Sequence, residues 1–177
     1  MARARELDPS SPLLRVLSAQ AAYQARDFGA AERHARQAIV IDRNFWAGYV
    51  GLAQAMAARG DLEGALAAAD EAHRLSGNVK GLVRRGYVLG RMGRHAEARD
   101  VLREVERLAR VSYVPPSEIS LVHAGLGDAA GVFETLERAY AVRDVNLVFL
   151  PVDPKMDPFR DDPRFRALLE RCGFVRK

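Results

Sequence analysis

Residues 60–76 read GDLEGALAAADEAHRLS. Glycine and aspartate form a turn, and Leu62, Ala65, Ala72 and Leu75 then recur at helical spacing. The cadence returns in RDFGAAERHARQAIVID (26–42), GRHAEARDVLREVERLA (93–109) and GDAAGVFETLERAYAVR (127–143). The small-residue position reads Ala31, Ala65, Ala98 and Val132, at intervals of 34, 33 and 34. Seven residues on come Ala38, Ala72, Val105 and Ala139, and three further Ile41, Leu75, Leu108 and Val142. Before each turn Ala22, Met56, Leu89 and His123 hold the equivalent place. Apolar recurrence on both sides of a turn predicts a helix pair per unit. Short side chains let the two helices approach, and Phe28, Leu62 and Leu102 fill the gaps. One pair cannot bury a whole core, so successive pairs must stack.

The pattern Tyr49-x-x-Leu52-Ala53-x-x-Met56, then Gly60-Asp61-Leu62-x-x-Ala65 and Ala72, resembles the tetratricopeptide repeat (TPR) family. The resemblance implies an all-α, right-handed α-solenoid with units at 12–45, 46–78, 79–112 and 113–146. Residues 147–177 are expected to form a C-terminal helical cap. Departures from the family pattern are Arg15 and Pro116 at aromatic positions, Arg85 at a leucine and Val132 at the small residue. Ala4, Leu7, Asp8 and Pro9 fall in the phase that closes a complete repeat. Residues 1–11 therefore read as the tail of a preceding repeat or an N-cap, and the chain as a fragment or abbreviated relative of a longer array.

Asp-Pro recurs at 153–154, 157–158 and 162–163. Aspartate favours the N-cap and proline the first helical position, so each pair is expected to start a helical turn. The last launches a helix with Phe165, Leu168 and Leu169 on one face, stopped by Gly173. This segment is expected to lie as a lid over the last repeat. Tyr113-Val-Pro-Pro116, Leu136-Glu-Arg-Ala-Tyr140, Leu147-Val-Phe-Leu150 and Asp157-Pro-Phe-Arg-x-Asp-Pro-Arg-Phe165 also resemble the C-terminal TPR arrays of multidomain bacterial regulators, which follow kinase, cyclase or winged-helix domains.

Composition narrows the function. The 177 residues are 49% hydrophobic and 28% charged, ordinary for a globular chain. The 27 basic and 23 acidic residues are interspersed, which argues for solvated helix faces over a nucleic-acid patch. No apolar run approaches the roughly 18 residues of a membrane span. A single cysteine, Cys172, forms no internal disulfide, and a cytoplasmic location is expected. Gly125-x-Gly127-x-x-x-Gly131 misses the dinucleotide fingerprint by one residue and lies between helices. His34, His73, His95 and His123 fall in four different units, and Asp153, Asp157, Asp161 and Asp162 lack calcium-loop spacing. No catalytic, metal or cofactor site is therefore expected, and no enzyme.

What remains is binding. The resemblance implies a concave face lined by the first helix of each pair, with inward positions Val16, Gln20, Tyr23, Val50, Gln54, Lys80, Val83, Tyr87 and Arg91; Arg84 adds a cation. Such a wall suits a protein or peptide partner, with Lys80, Arg84 and Arg91 receiving acidic groups. Lys80 and Arg84 match two of the five positions of the clamp that grips chaperone C-terminal carboxylates. Val16, Gln20 and Gly51 occupy the others, which argues against that clamp. The expected role is a non-catalytic interaction scaffold. The alternative is a regulatory domain of a larger bacterial protein, with small-ligand binding or homo-oligomerisation.

Overall fold

The computed structural model describes residue 3 and residues 7–174. Among these there is no strand. Four antiparallel helix pairs follow one another: α1 (Pro12–Gln24) with α2 (Phe28–Ile41), α3 (Trp46–Arg59) with α4 (Leu62–Ser76), α5 (Val79–Arg91) with α6 (His95–Ala109), and α7 (Pro116–Leu126) with α8 (Ala129–Ala141). Two 3₁₀ helices (Val145–Phe149 and Pro154–Phe159) lead to α9 (Pro163–Arg171). The reading of residues 1–11 rests partly on Ala4, which lies outside the described residues; Leu7 is exposed.

The turns use the chemistry their sequence offers. Asp27, Asp61 and Asp128 accept from the backbone N–H three residues on, at 2.8, 2.9 and 3.1 Å. In three of the four pairs the residue before the second helix's N-cap is a left-handed glycine: Gly60, Gly93 and Gly127 at φ 89°, 77° and 70°. The first pair has Arg26 at this place, at φ 64°. A side chain is disfavoured in that conformation, so Arg26 calls for a reason.

The register positions become the seam of the stack. Ala31, Ala65, Ala98 and Val132 are all buried, as are Ala38, Ala72, Val105 and Ala139. The third row is looser, with Ile41 and Val142 exposed at the outer ends of their helices. Helices α1, α3, α5 and α7 touch in succession and form one layer. Their closest approach is between α5 and α7, while α6 and α7 touch only lightly. Glycine allows this. A Cβ on Gly125 would lie 2.3 Å from the Tyr87 carbonyl oxygen, and one on Gly90 would lie 2.4 Å from the Gly125 carbonyl carbon. The near-fingerprint glycines thus serve helix packing and a turn.

Behind α8 the cap docks as a lid. Phe165 and Leu168 are buried, Phe159 meets Phe133 edge-on at 6.2 Å, and Arg164 stacks over Phe133 at 4.1 Å. Asp153 and Asp162 cap the turns they precede. Asp157 departs from expectation: Pro158 lies inside the second 3₁₀ helix, and the Asp157 carboxylate caps nothing. It is engaged elsewhere.

Gly125→Ala should lower stability by at least about 2 kcal/mol, because the methyl meets fixed backbone. Ala130→Gly, at the exposed start of α8, should cost only about 1 kcal/mol. Urea unfolding followed by circular dichroism measures both, and equal losses would contradict the close approach of α5 and α7.

Candidate functional site: the concave face and its resident segment

The inner layer presents Val16, Gln20 and Tyr23 from α1, Val50 and Gln54 from α3, and Lys80 and Arg84 from α5 around two adjoining cavities. Their volumes are about 260 and 140 Å³. Val83, Tyr87 and Arg91 stand apart from both. Val83 and Tyr87 are buried, and Arg91 is exposed with its guanidinium donating to the Tyr87 hydroxyl at 3.0 Å.

The cations differ in what they have left to give. Arg84 is buried and donates to buried Glu118 at 2.8 Å, so it is already paired. The helix that supplies Glu118 is brought over Arg84 by the glycine-mediated approach of α7 to α5. Arg84 Nε–H has no hydrogen-bond partner among the described residues, nor has Gln24 Oε1, and both residues line the larger cavity. Lys80 is half-buried, with no carboxylate paired to its ammonium among the described residues.

The face is not empty. The chain running from the first 3₁₀ helix into the second crosses from the last repeat to the first, and Lys155, in the second 3₁₀ helix, is its anchor. Only 5% of Lys155 is exposed. Its ammonium donates to Gln54 Oε1 at 3.1 Å and to the Tyr23 hydroxyl at 3.4 Å. It also lies 4.7 Å from the Tyr23 ring centroid and 2.9 Å from its own neighbour Asp153. Burial, with Asp153 adding to it, pushes the Tyr23 hydroxyl far above the ordinary phenol range, so it stays a neutral acceptor. Met156 follows into the core, at 2% exposure.

Asp157 then reaches the turn of the first repeat. Arg26 holds its carboxylate in a two-pronged grip, at 2.5 and 2.7 Å, and Arg160 adds a bond at 2.7 Å. This supplies the reason for a left-handed arginine where the other pairs carry glycine. Hydrogen bonds from Arg26 above all, and from Arg160, hold the Asp157 carboxyl at about 2, below its ordinary 3.8. Arg160 also clasps the carbonyls of Pro151 and Asp153, which fixes the approach to Lys155.

Seven of the ten residues expected on the concave face line these cavities, and the expected set lacks Lys155, Asp157 and Arg26. Arg26 was the available signal, an arginine in phase with three turn glycines.

No helix among the described residues is long and apolar enough to cross a membrane. The fold is similar to the crystal structure of TTC0263, a thermophilic TPR protein of Thermus thermophilus. The TM-score is 0.67 at 18% identity, covering 96% of this chain and 87% of that one. This places the chain in the tetratricopeptide fold. No protein-family model matches the sequence, and no curated protein matches it.

Arg26→Ala keeps the left-handed strain and loses the grip on Asp157. It should lower Tm by about 2 °C, whereas Arg26→Gly, which relieves the backbone, should stay within about 1 °C of the wild type. The folded Asp157 pKa lies below the unfolded one, so its contribution is whole above pH 4 and lost as pH falls from about 4 to 2. Thermal melts of the wild type and Asp157→Asn across that range should converge towards pH 2; a constant gap would contradict the pairing.

Proposed function

We propose that this chain is a non-catalytic docking scaffold whose concave face receives an extended segment of a partner protein. One observation carries this reading: the face already holds a protein segment, residues 151–157, with a buried lysine and an apolar neighbour. A surface that removes Lys155 and Met156 from water has the depth and polar groups to bind a chain of that kind. The paired state of Arg84 and the outlying position of Arg91 shift the expected recognition from an acidic partner on three cations to a mixed one.

A second reading is a sensory domain within a larger bacterial regulator. The cavity beside the resident segment favours it, because Arg84 Nε–H and Gln24 Oε1 there lack partners that a small polar ligand would supply. Its volume of about 260 Å³ sits near the lower end of ordinary ligand clefts, so the ligand would be small.

Site-specific photo-crosslinking in cells tests the docking reading. A crosslinker at Gln20 or Lys80 should capture discrete partner proteins, and one at exposed Val40 on α2 should capture few or none. Equal capture from both positions would contradict concave-face docking.

A further inference from the structure

We propose that the concave face reads a lysine that brings its own carboxylate: it accepts partner segments of the pattern Asp-Pro-Lys-x-Asp, and residues 153–157 are a resident copy that a partner must displace. This rests on the docking reading above and specifies the partner's chemistry.

The wall offers Lys155 only neutral groups. Tyr23 gives a ring face and a hydroxyl, and Gln54 a carbonyl oxygen. The lysine's direct carboxylate contact is with Asp153, two residues earlier in its own segment. Around the seat stand Lys80 and Arg84, and Glu118 is committed to Arg84. A bare ammonium would leave water for a site with no free carboxylate from the wall and with the unpaired cation Lys80 nearby, which is unfavourable. A lysine already neutralised by an aspartate loses that penalty and keeps the ring and amide contacts.

The local geometry makes Asp153 and Lys155 one unit. The aspartate accepts from the Lys155 backbone N–H at 3.0 Å while its Oδ1 faces the ammonium, and Pro154 between them suits the first position of the 3₁₀ turn. The same turn delivers Asp157 to Arg26 and buries Met156. Recognition therefore needs the ordered triplet of aspartate, lysine and aspartate, and a basic or acidic segment alone meets half of it. Because the resident copy is tethered, its effective concentration is on the order of millimolar, and a free segment of equal affinity competes poorly until the resident one is loosened.

The test uses the full chain carrying Lys155→Ala, Met156→Ser and Asp157→Asn, which disables the resident copy and leaves the cap residues Phe159, Phe165 and Leu168 in place. The probe is a fluorescein-labelled synthetic peptide of residues 150–162, LPVDPKMDPFRDD, read by anisotropy. The peptide should bind the opened chain at least tenfold more tightly than the wild type. Replacing its lysine by norleucine, or its first aspartate by asparagine, should each weaken binding at least tenfold. If these altered peptides bind as well as the parent, the lysine-reading inference fails and the docking reading stands. If no version binds a folded, opened chain, both fail. Should the opened chain lose its helical circular dichroism, amide exchange in the otherwise native chain decides. Asp153→Asn, which retains a cap, should speed exchange across 153–158 at least tenfold, and an unchanged rate overturns the inference.

Discussion

A lysine ammonium leaves water only where its charge and its hydrogen bonds are met. Lys155 meets that condition by joining parts of the chain that lie far apart in sequence. Asp153 neutralises it from two residues away, and Gln54 and Tyr23 receive it from more than 100 residues away. From the same turn Met156 enters the core and Asp157 reaches Arg26. The C-terminal segment is thus more than a lid on the last repeat. It spans the concave face and ties the fourth helix pair to the first.

That span is possible because of how the helices pack. The alanine seam brings each pair together with little gap, and the glycine contact draws α5 and α7 closer than the other neighbours in the inner layer. The same approach sets Glu118 against Arg84, which removes one cation of the wall from the open groove. Packing in the third and fourth pairs thereby decides the charge the face offers to anything docked on the first two. Exposed and buried contacts divide the work: the Arg26–Asp157 grip is half-exposed and screened by salt, while the Lys155 seat is buried and little affected.

The repeat architecture was legible because it is written in local chemistry. A small residue every 33 or 34 positions and a glycine before a capping aspartate act within one hairpin, and their spacing survives without knowledge of the fold. The inner-layer positions followed from the resemblance, and seven of the ten named residues line the two cavities. Val83 and Tyr87 are buried outside both cavities, and that burial is a tertiary effect that one helix's spacing does not encode. Lys155 and Asp157 were unreadable for a similar reason. In a run of Asp-Pro pairs, capping explains every aspartate locally, and only the folded chain distinguishes Asp153, which caps, from Asp157, which grips Arg26.

The most direct check of the Lys155 seat is its side-chain environment in solution. In a nuclear Overhauser spectrum of the full chain, the Lys155 ε-methylene protons should shift upfield from the Tyr23 ring current and show cross-peaks to the Tyr23 ring protons. Lysine shifts at their free-peptide values, with no contact to Tyr23, would contradict the account.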